Sequence, residues 1–191
     1  MDELREMVKS IGDADAAKLK DLIPKIMNKI KEVGFVKVVR DEELKTFMPK
    51  MREKMAEIDV EELIPLANVV MPTFFEGMTE LFAASEEAQE ELEDMDDMKM
   101  QMSSPDLDVY MFITVEDGKL TAGSGKLDDP DVSIIINKET FLKQMQGESD
   151  MVSSYMSGDI KIEGEMAKVM ALRPLFEVLS DEYDLEMGFG G

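Results

Sequence analysis

The chain of 191 residues contains no Cys and no His, has 19 Met and carries a net charge of −22 at pH 7. These counts exclude thiol chemistry, disulfides, zinc sites built on Cys or His, and every catalytic triad with an imidazole base. Residues 1–68 hold 13 Lys/Arg and 15 Asp/Glu, whereas residues 69–191 hold 8 and 28. Because such an acidic surface repels phosphate groups, we expect no nucleic-acid partner and at most transient membrane contact.

The first third of the chain is predicted to be helical, because two apolar stripes with helical spacing follow Asp15 and Asp41. Residues 22–26, Leu-Ile-Pro-Lys-Ile, recur 25 positions later as Phe-Met-Pro-Lys-Met, which indicates an internal duplication. Proline lacks an amide donor, so each unit is either a kinked helix or two short helices with Pro at the start of the second. Residues 33–39 are either a short strand or an apolar linker. The two stripes are Leu19, Leu22, Ile23, Ile26, Met27, Ile30 and Val33, and Leu44, Phe47, Met48, Met51, Met55 and Ile58.

Two further helices are predicted at 73–84 and 85–94, and the hydrophobic period then changes. Residues 98–103 alternate strictly between apolar and polar, which predicts a half-buried strand. Residues 109–115 are apolar at nearly every position, so we expect a strand covered on both faces. Glu116-Asp117-Gly118-Lys119 is typical of a hairpin that leads into a third strand over 120–126.

The rest of the chain continues this alternation of strands and helices. A turn at 128–131 precedes a strand at 132–136, and Asn137 is expected to cap a helix that stops at Gly147. A short helix over 151–156, a strand over 160–162 and a final helix from 165 towards 179 follow, the last kinked at Pro174. Residues 183–191 are predicted to be a mobile tail.

Three local patterns suggest other chemistry and receive little weight. Gly123-Ser124-Gly125-Lys126 resembles a phosphate loop but lacks its first Gly and its Ser/Thr, and it is predicted within a strand. Asp94, Asp96 and Asp97 lack the spacing and the glycine of a calcium loop. The terminal Gly190-Gly191 suggests a conjugation tail, although the preceding segment does not have the pattern of a ubiquitin-like fold.

From residue 117 onward the order of features resembles the sterol-carrier, or non-specific lipid-transfer, domain family. The matching segments are Asp117-Gly118-Lys119-Leu120, Asp129-Pro130-Asp131-Val132, Phe141 ahead of Gly147, and the run from Ser157 to Met166. With the strand at 98 and the helix at 73, the resemblance extends over residues 70–180. The first 65 residues have no counterpart in it, and the chain lacks a peroxisomal Ser-Lys-Leu type of C-terminus.

The resemblance implies an α+β fold, with a five-stranded, mainly antiparallel sheet flanked by helices that enclose an apolar cavity. It also implies non-catalytic carriage of a fatty acid, acyl-CoA, sterol or isoprenoid lipid, without a cofactor. If the elements assemble in this way, eight apolar side chains meet over one sheet face and form an adaptable lining typical of a lipid pocket. The predicted ligand-binding residues are Phe112, Phe141, Met145, Met151, Tyr155, Met156, Met166 and Met170.

We therefore predict a helical region over 1–68, a lipid-binding domain over 69–182 and a tail over 183–191. The first segment lacks the basic and apolar regions of a signal peptide, and no apolar run approaches the ~20 residues of a membrane helix, so we expect a cytoplasmic protein. An alternative hypothesis is an interaction module in which the N-terminal helices bind a protein partner and the C-terminal core is filled. An enzyme is the third hypothesis, disfavoured because no nucleophile, acid-base pair or metal cluster is visible in the sequence.

Overall fold

The structure is a computed structural model that describes residues 1–146, 148 and 151–185. These residues form an α+β fold around one five-stranded sheet, as predicted. The strands are β1 (Met98–Ser104), β2 (Val109–Glu116), β3 (Lys119–Ser124), β4 (Val132–Ile136) and β5 (Ile160–Gly164). The helices before the sheet are α1 (Asp2–Ser10), α2 (Ala16–Val33), α3 (Phe35–Val39), α4 (Phe47–Met55), α5 (Val60–Ala84) and α6 (Glu86–Glu93). The later helices are α7 (Lys138–Gln146), α8 (Met151–Met156), α9 (Met166–Ala171) and α10 (Arg173–Tyr183).

The strand order in the sheet is β3-β2-β1-β4-β5. The β1–β4 pair is parallel and the other neighbouring pairs are antiparallel, which confirms the predicted mainly antiparallel sheet. The hairpin between β2 and β3 turns at Asp117 and Gly118, whose φ angles are 50° and 70°. Two consecutive positive φ angles are characteristic of the type I′ turn that the sequence Asp-Gly favours.

One face of the sheet is covered by helices. Ile113, Met100 and Val132 lie side by side on β2, β1 and β4, and all three are fully buried. Helix α5 crosses this face over β3, where the Thr79 hydroxyl accepts a hydrogen bond from the Ala122 N–H at 2.8 Å and donates one to the Ala122 carbonyl at 3.1 Å. We refer to this side as the helix face.

The opposite face is partly covered by the connection between β3 and β4. The Gln101 amide donates to the Gly125 carbonyl at 3.2 Å, and its oxygen accepts from the Leu127 N–H at 2.7 Å. Strand β1 is therefore buried on both faces, although its alternation predicted a half-buried strand. Strand β2, predicted to be covered on both faces, alternates between buried and half-buried residues.

The two N-terminal segments predicted to be duplicates adopt different structures. Helix α2 begins after Asp15, whose carboxylate accepts a hydrogen bond from the Lys18 N–H at 2.9 Å, and continues as one helix through Pro24. In the second unit Pro49 lies near the start of the short helix α4, after a turn at 41–46. The two proline-containing segments thus form one long helix and one short helix preceded by a turn, and their common origin stays a prediction.

Residues 35–39 form helix α3, so neither the strand nor the linker predicted there is present. The Phe35 N–H donates to the Glu80 carboxylate at 2.7 Å, and the Phe35 ring lies edge-on to Phe74 with centroids 6.2 Å apart. Both partners belong to α5, far away in sequence. Such tertiary contacts override a local pattern in which four of five residues are apolar.

Helix α5 is longer than the predicted 73–84 helix and contains both Pro65 and Pro72. It runs without a break through residues 68 and 69, where the predicted domain boundary lies. Buried residues of the N-terminal helices belong to the same apolar core as those of the sheet. A division into two folding units at residue 68 stays a prediction.

The C-terminal helix is divided in two rather than kinked at Pro174. Helix α9 ends at Ala171, and Pro174 lies in the first turn of α10, where its missing N–H costs no hydrogen bond. Tyr183, placed by sequence at the start of the tail, lies in the last turn of α10 and is buried. The predicted tail residues 186–191 and the predicted helix stop at Gly147 lie outside the described residues.

Candidate ligand-binding site

The eight predicted ligand-binding residues do not meet over one sheet face. They form three groups, on the face opposite the helices, in the core beside α7, and on the surface around β5. Met151 lies apart from these groups, half-buried against the core at the start of α8.

Phe112 is the member on the opposite face. It alternates with Met111 and Ile113, which are buried on the helix face, and it is half-buried itself. Its register partners are Gln101 and Gly123, and a Cβ atom at Gly123 would lie 3.0 Å from the Phe112 ring. Phe112 therefore packs along the sheet surface, away from the other seven residues.

Phe141 and Met145 form the second group, one turn apart on α7. Asn137 caps this helix as predicted, its side-chain oxygen accepting from the Thr140 N–H at 2.9 Å. Both apolar side chains are buried, and α7 packs against α4 and α5. Phe141 is a core residue, whereas Met145 lines a cavity.

The third group is exposed to solvent. Tyr155 and Met156 at the end of α8 are 46% and 79% exposed, and Met166 and Met170 on α9 are 38% and 52% exposed. In the described part of the chain, Met1 is the other large apolar residue with comparable exposure. The sequence predicted an internal lining here, and the structure instead exposes these four residues, in the helices that precede and follow β5 in the chain.

An apolar cavity of about 410 Å³ lies between α4, α5 and α7. We call it the methionine cavity, because five methionines contribute to its walls. Its volume falls within the range of roughly 300–1,000 Å³ that is usual for small-molecule sites. Its apolar lining comprises Met48, Pro49, Met51, Met55, Val70, Met71, Phe74, Met145 and Leu185.

The polar residues of the methionine cavity include two cations and one carboxylate, namely Lys45, Arg52 and Asp184. The Lys45 ammonium lies 2.9 Å from Glu42 and 3.8 Å from Asp184. The hydrogen bond to Glu42, helped by the negative charges of Glu42 and Asp184, raises the pKa of Lys45 above its usual value. Lys45 is therefore a permanent cation in this wall at neutral pH.

Met145 is the residue of this cavity that the sequence predicts as a ligand contact. Met48, Met51 and Met55 belong to a predicted helical stripe, but nothing local indicates that the stripe faces a cavity rather than a filled core. Their methionine content was the available signal, since unbranched, polarizable side chains suit an adaptable lining. The N-terminal region also had no counterpart in the family resemblance, so no ligand role was transferred to it.

Two polar features of the described residues lie outside the methionine cavity. A second cavity contains Ser154, Ser157 and Asp159, where Ser157 donates to the Asp159 carboxylate at 2.6 Å. Lys126 of the Gly-Ser-Gly-Lys segment lies over the Tyr110 ring, 4.1 Å from its centroid. In the described ranges, no group of three acidic residues is close enough to hold a metal ion.

The described helices include none that is long and apolar enough to cross a membrane.

A model of the SCP-2 sterol transfer family matches residues 78–177, and no curated protein matches the chain. Among solved structures, one similar to it is the UbiJ-SCP2 ubiquinone synthesis protein, at 11% identity and a TM-score of 0.43, over 61% of this chain and 93% of the other. The sterol carrier protein domain 2 of Helicoverpa armigera is similar at 20% identity and a TM-score of 0.41, over 62% and 91%. The inverting sec-alkylsulfatase Pisa1 from Pseudomonas sp. is similar at 18% identity and a TM-score of 0.35, over 92% of this chain and 31% of the enzyme.

Proposed function

Since the chain belongs to the SCP-2 sterol transfer family, we propose that it binds and carries a hydrophobic small molecule without changing it chemically. The methionine cavity is the proposed site. Candidate ligands are a fatty acid, an acyl-CoA, a sterol or an isoprenoid lipid, and the proposed place of action is the cytoplasm. Of the predicted ligand contacts, Met145 lines this cavity, and the other seven lie outside it.

The observation that carries the proposal is the composition of the cavity wall. Met48, Met71 and Phe74 are half-buried at the cavity, whereas Met51 and Met55 are nearly inaccessible to solvent. Methionine has three rotatable side-chain bonds, so such a wall adapts to ligands of different shape. The cations Lys45 and Arg52 in the same wall suit a ligand with an anionic end.

The expected affinity follows from the apolar surface that a bound chain loses to solvent. Burying about twelve methylenes gains ~10 kcal/mol at ~0.8 kcal/mol each. With a loss of ~4 kcal/mol in translational and rotational freedom, the low end of the usual range, ~6 kcal/mol remains. This free energy corresponds to a dissociation constant of roughly 10–100 µM, which is suitable for a carrier that must also release its ligand.

Native mass spectrometry of gently purified protein, before and after incubation with mixed lipids, tests the proposal. We expect a stoichiometric added mass that denaturing extraction identifies as a lipid. The informative variant is Met48→Trp, because the larger indole fills the cavity at a half-buried position. The matched control is Met95→Trp, since Met95 is also half-buried but does not line the cavity.

Uptake by the wild type and Met95→Trp, with loss in Met48→Trp, is the expected result. A protein that takes up no lipid from the mixture would contradict the carrier function. Equal uptake by Met48→Trp and the wild type would show that the protein binds lipid, but outside the methionine cavity.

A further inference from the structure

In the described part of the chain, β5 is an edge strand, and no other strand pairs with its outer side. It pairs with β4 and ends the strand order, so about half of its backbone N–H and C=O groups point away from the sheet. Edge strands are usually protected by charge, by proline or by short length. Strand β5 has the sequence Ile-Lys-Ile-Glu-Gly over residues 160–164. It carries one cation and one anion, so its net charge is zero.

The two charges of β5 are placed symmetrically around its centre. Lys161 and Glu163 flank Ile162, and their side chains are 70% and 52% exposed. Within one chain they form an ion pair with each other. If a second copy of β5 pairs antiparallel with Ile162 opposite Ile162, Lys161 of each copy lies opposite Glu163 of the other. The edge is therefore complementary to itself in charge.

The exposed apolar residues adjoin the same strand. Tyr155 and Met156 lie in α8, which precedes β5, and Met166 and Met170 lie in α9, which follows it. Antiparallel pairing brings the start of β5 in one copy beside the end of β5 in the other. Helix α8 of each copy is then next to α9 of the other copy. The exposed apolar residues of the two helices approach each other as a result.

We propose that β5 is the interface through which two copies of this chain associate, forming a continuous ten-stranded sheet with a twofold axis at Ile162. The interface is isologous, since each surface patch meets the same patch of the second copy. Backbone hydrogen bonds join the two sheets, the Lys161–Glu163 contacts fix the register, and the methionines on α8 and α9 are removed from water. This surface lies apart from the methionine cavity, so association and ligand binding can be measured separately.

Charge reversal on the full-length chain tests this interface. In a dimer of Lys161→Glu chains, residue 161 of each copy faces Glu163 of the other, which gives two acidic pairs. In a dimer of Glu163→Lys chains, the same positions give two pairs of lysines. Each single variant is expected to raise the dimer dissociation constant about tenfold, because like charges directly opposite each other destabilise paired strands. The double variant K161E/E163K restores the complementarity and is expected to return to the wild-type constant.

Sedimentation equilibrium over a series of protein concentrations measures these constants. The matched control is Lys119→Glu, because Lys119 is an exposed lysine on β3, the other edge strand, opposite Glu116. We expect this variant to associate like the wild type. Circular dichroism verifies that each variant is folded, and Met156→Gln with Met170→Gln gives a second variant that weakens association without altering β5.

Cysteine cross-linking tests the register, since the chain has no cysteine of its own. A mixture of Lys161→Cys and Glu163→Cys chains is expected to form a disulfide-linked dimer faster than either variant alone, because only the mixture places two cysteines directly opposite each other. A monomer mass at every concentration, or association unchanged in K161E and E163K, would overturn the proposal. Equal cross-linking in the mixture and in the single variants would also overturn it.

Discussion

Replacing Gly77 by alanine tests how α3 is held against the helix that forms one wall of the methionine cavity. A Cβ atom at residue 77 would lie within 3.0 Å of three atoms of the Phe35 ring. That ring is buried, and its position is fixed by the hydrogen bond from the Phe35 N–H to Glu80 and by the edge-on contact with Phe74. The ring therefore cannot move away without loss of these contacts.

Two opposing effects determine how Gly77→Ala changes the free energy of unfolding. Alanine is favoured over glycine inside a helix by about 1 kcal/mol, whereas overpacking a core costs about 1–3 kcal/mol. We expect the variant to be less stable by about 0–2 kcal/mol. In a Phe35→Ala background the steric conflict is gone, so the same substitution is expected to stabilise by up to ~1 kcal/mol.

Urea denaturation followed by far-UV circular dichroism measures both free energies, and the four proteins form a double-mutant cycle. Gly12→Ala is the control, because the atom nearest to its added Cβ is the Lys9 carbonyl oxygen at 3.7 Å. Stabilisation by Gly77→Ala in the wild-type background would refute the reasoning. An equal effect of Gly77→Ala in both backgrounds would show that Phe35 does not contact this position.

Two further substitutions test the contacts that join the elements. The buried Gln146 amide donates to the carbonyls of Met55 at 3.2 Å and Ile58 at 3.1 Å, so Gln146→Leu is expected to cost about 1–3 kcal/mol in urea denaturation, and unchanged stability would contradict these bonds. Hydrogen bonds from a β1 backbone N–H and from Lys168 hold the pKa of Asp131 below its ordinary value of 3.8. The folded state therefore favours the carboxylate, and the stability that this provides is present above that value and is lost as the pH falls through the lower folded pKa. Denaturation at a series of pH values is expected to show Asp131→Asn less stable than the wild type at neutral pH, with the difference shrinking in acid, and a constant difference would contradict the assignment.

Much of the sheet could be predicted from sequence because its signals are local. The Asp117-Gly118 turn determines a hairpin by backbone conformation alone, and both residues have the positive φ angles that this turn requires. Asn137 accepts the predicted hydrogen bond at the N-terminus of α7. Such short-range rules need no knowledge of the rest of the molecule.

The candidate site was not predictable in the same way, because its walls come from distant parts of the chain. Met145 lies in the same cavity as Met48 and Met71 only because α7 packs against both α4 and α5. A periodic apolar stripe predicts that a helix buries one face, but it does not say whether that face meets a filled core or a cavity. Phe112 shows a second limit on prediction from sequence. A strand that is apolar at nearly every position gives no indication of which face of the sheet each side chain occupies.

Methyl NMR of the protein labelled with ¹³C at the methionine methyl groups, titrated with a long-chain fatty acid, tests ligand binding in the methionine cavity most directly. We predict shifts at Met48, Met51, Met55, Met71 and Met145, and unchanged signals at Met156, Met166 and Met170. Shifts confined to the three methionines around β5 would contradict the account and favour a ligand site there. No shift at any of the 19 methionines would show that the chain does not bind such a ligand.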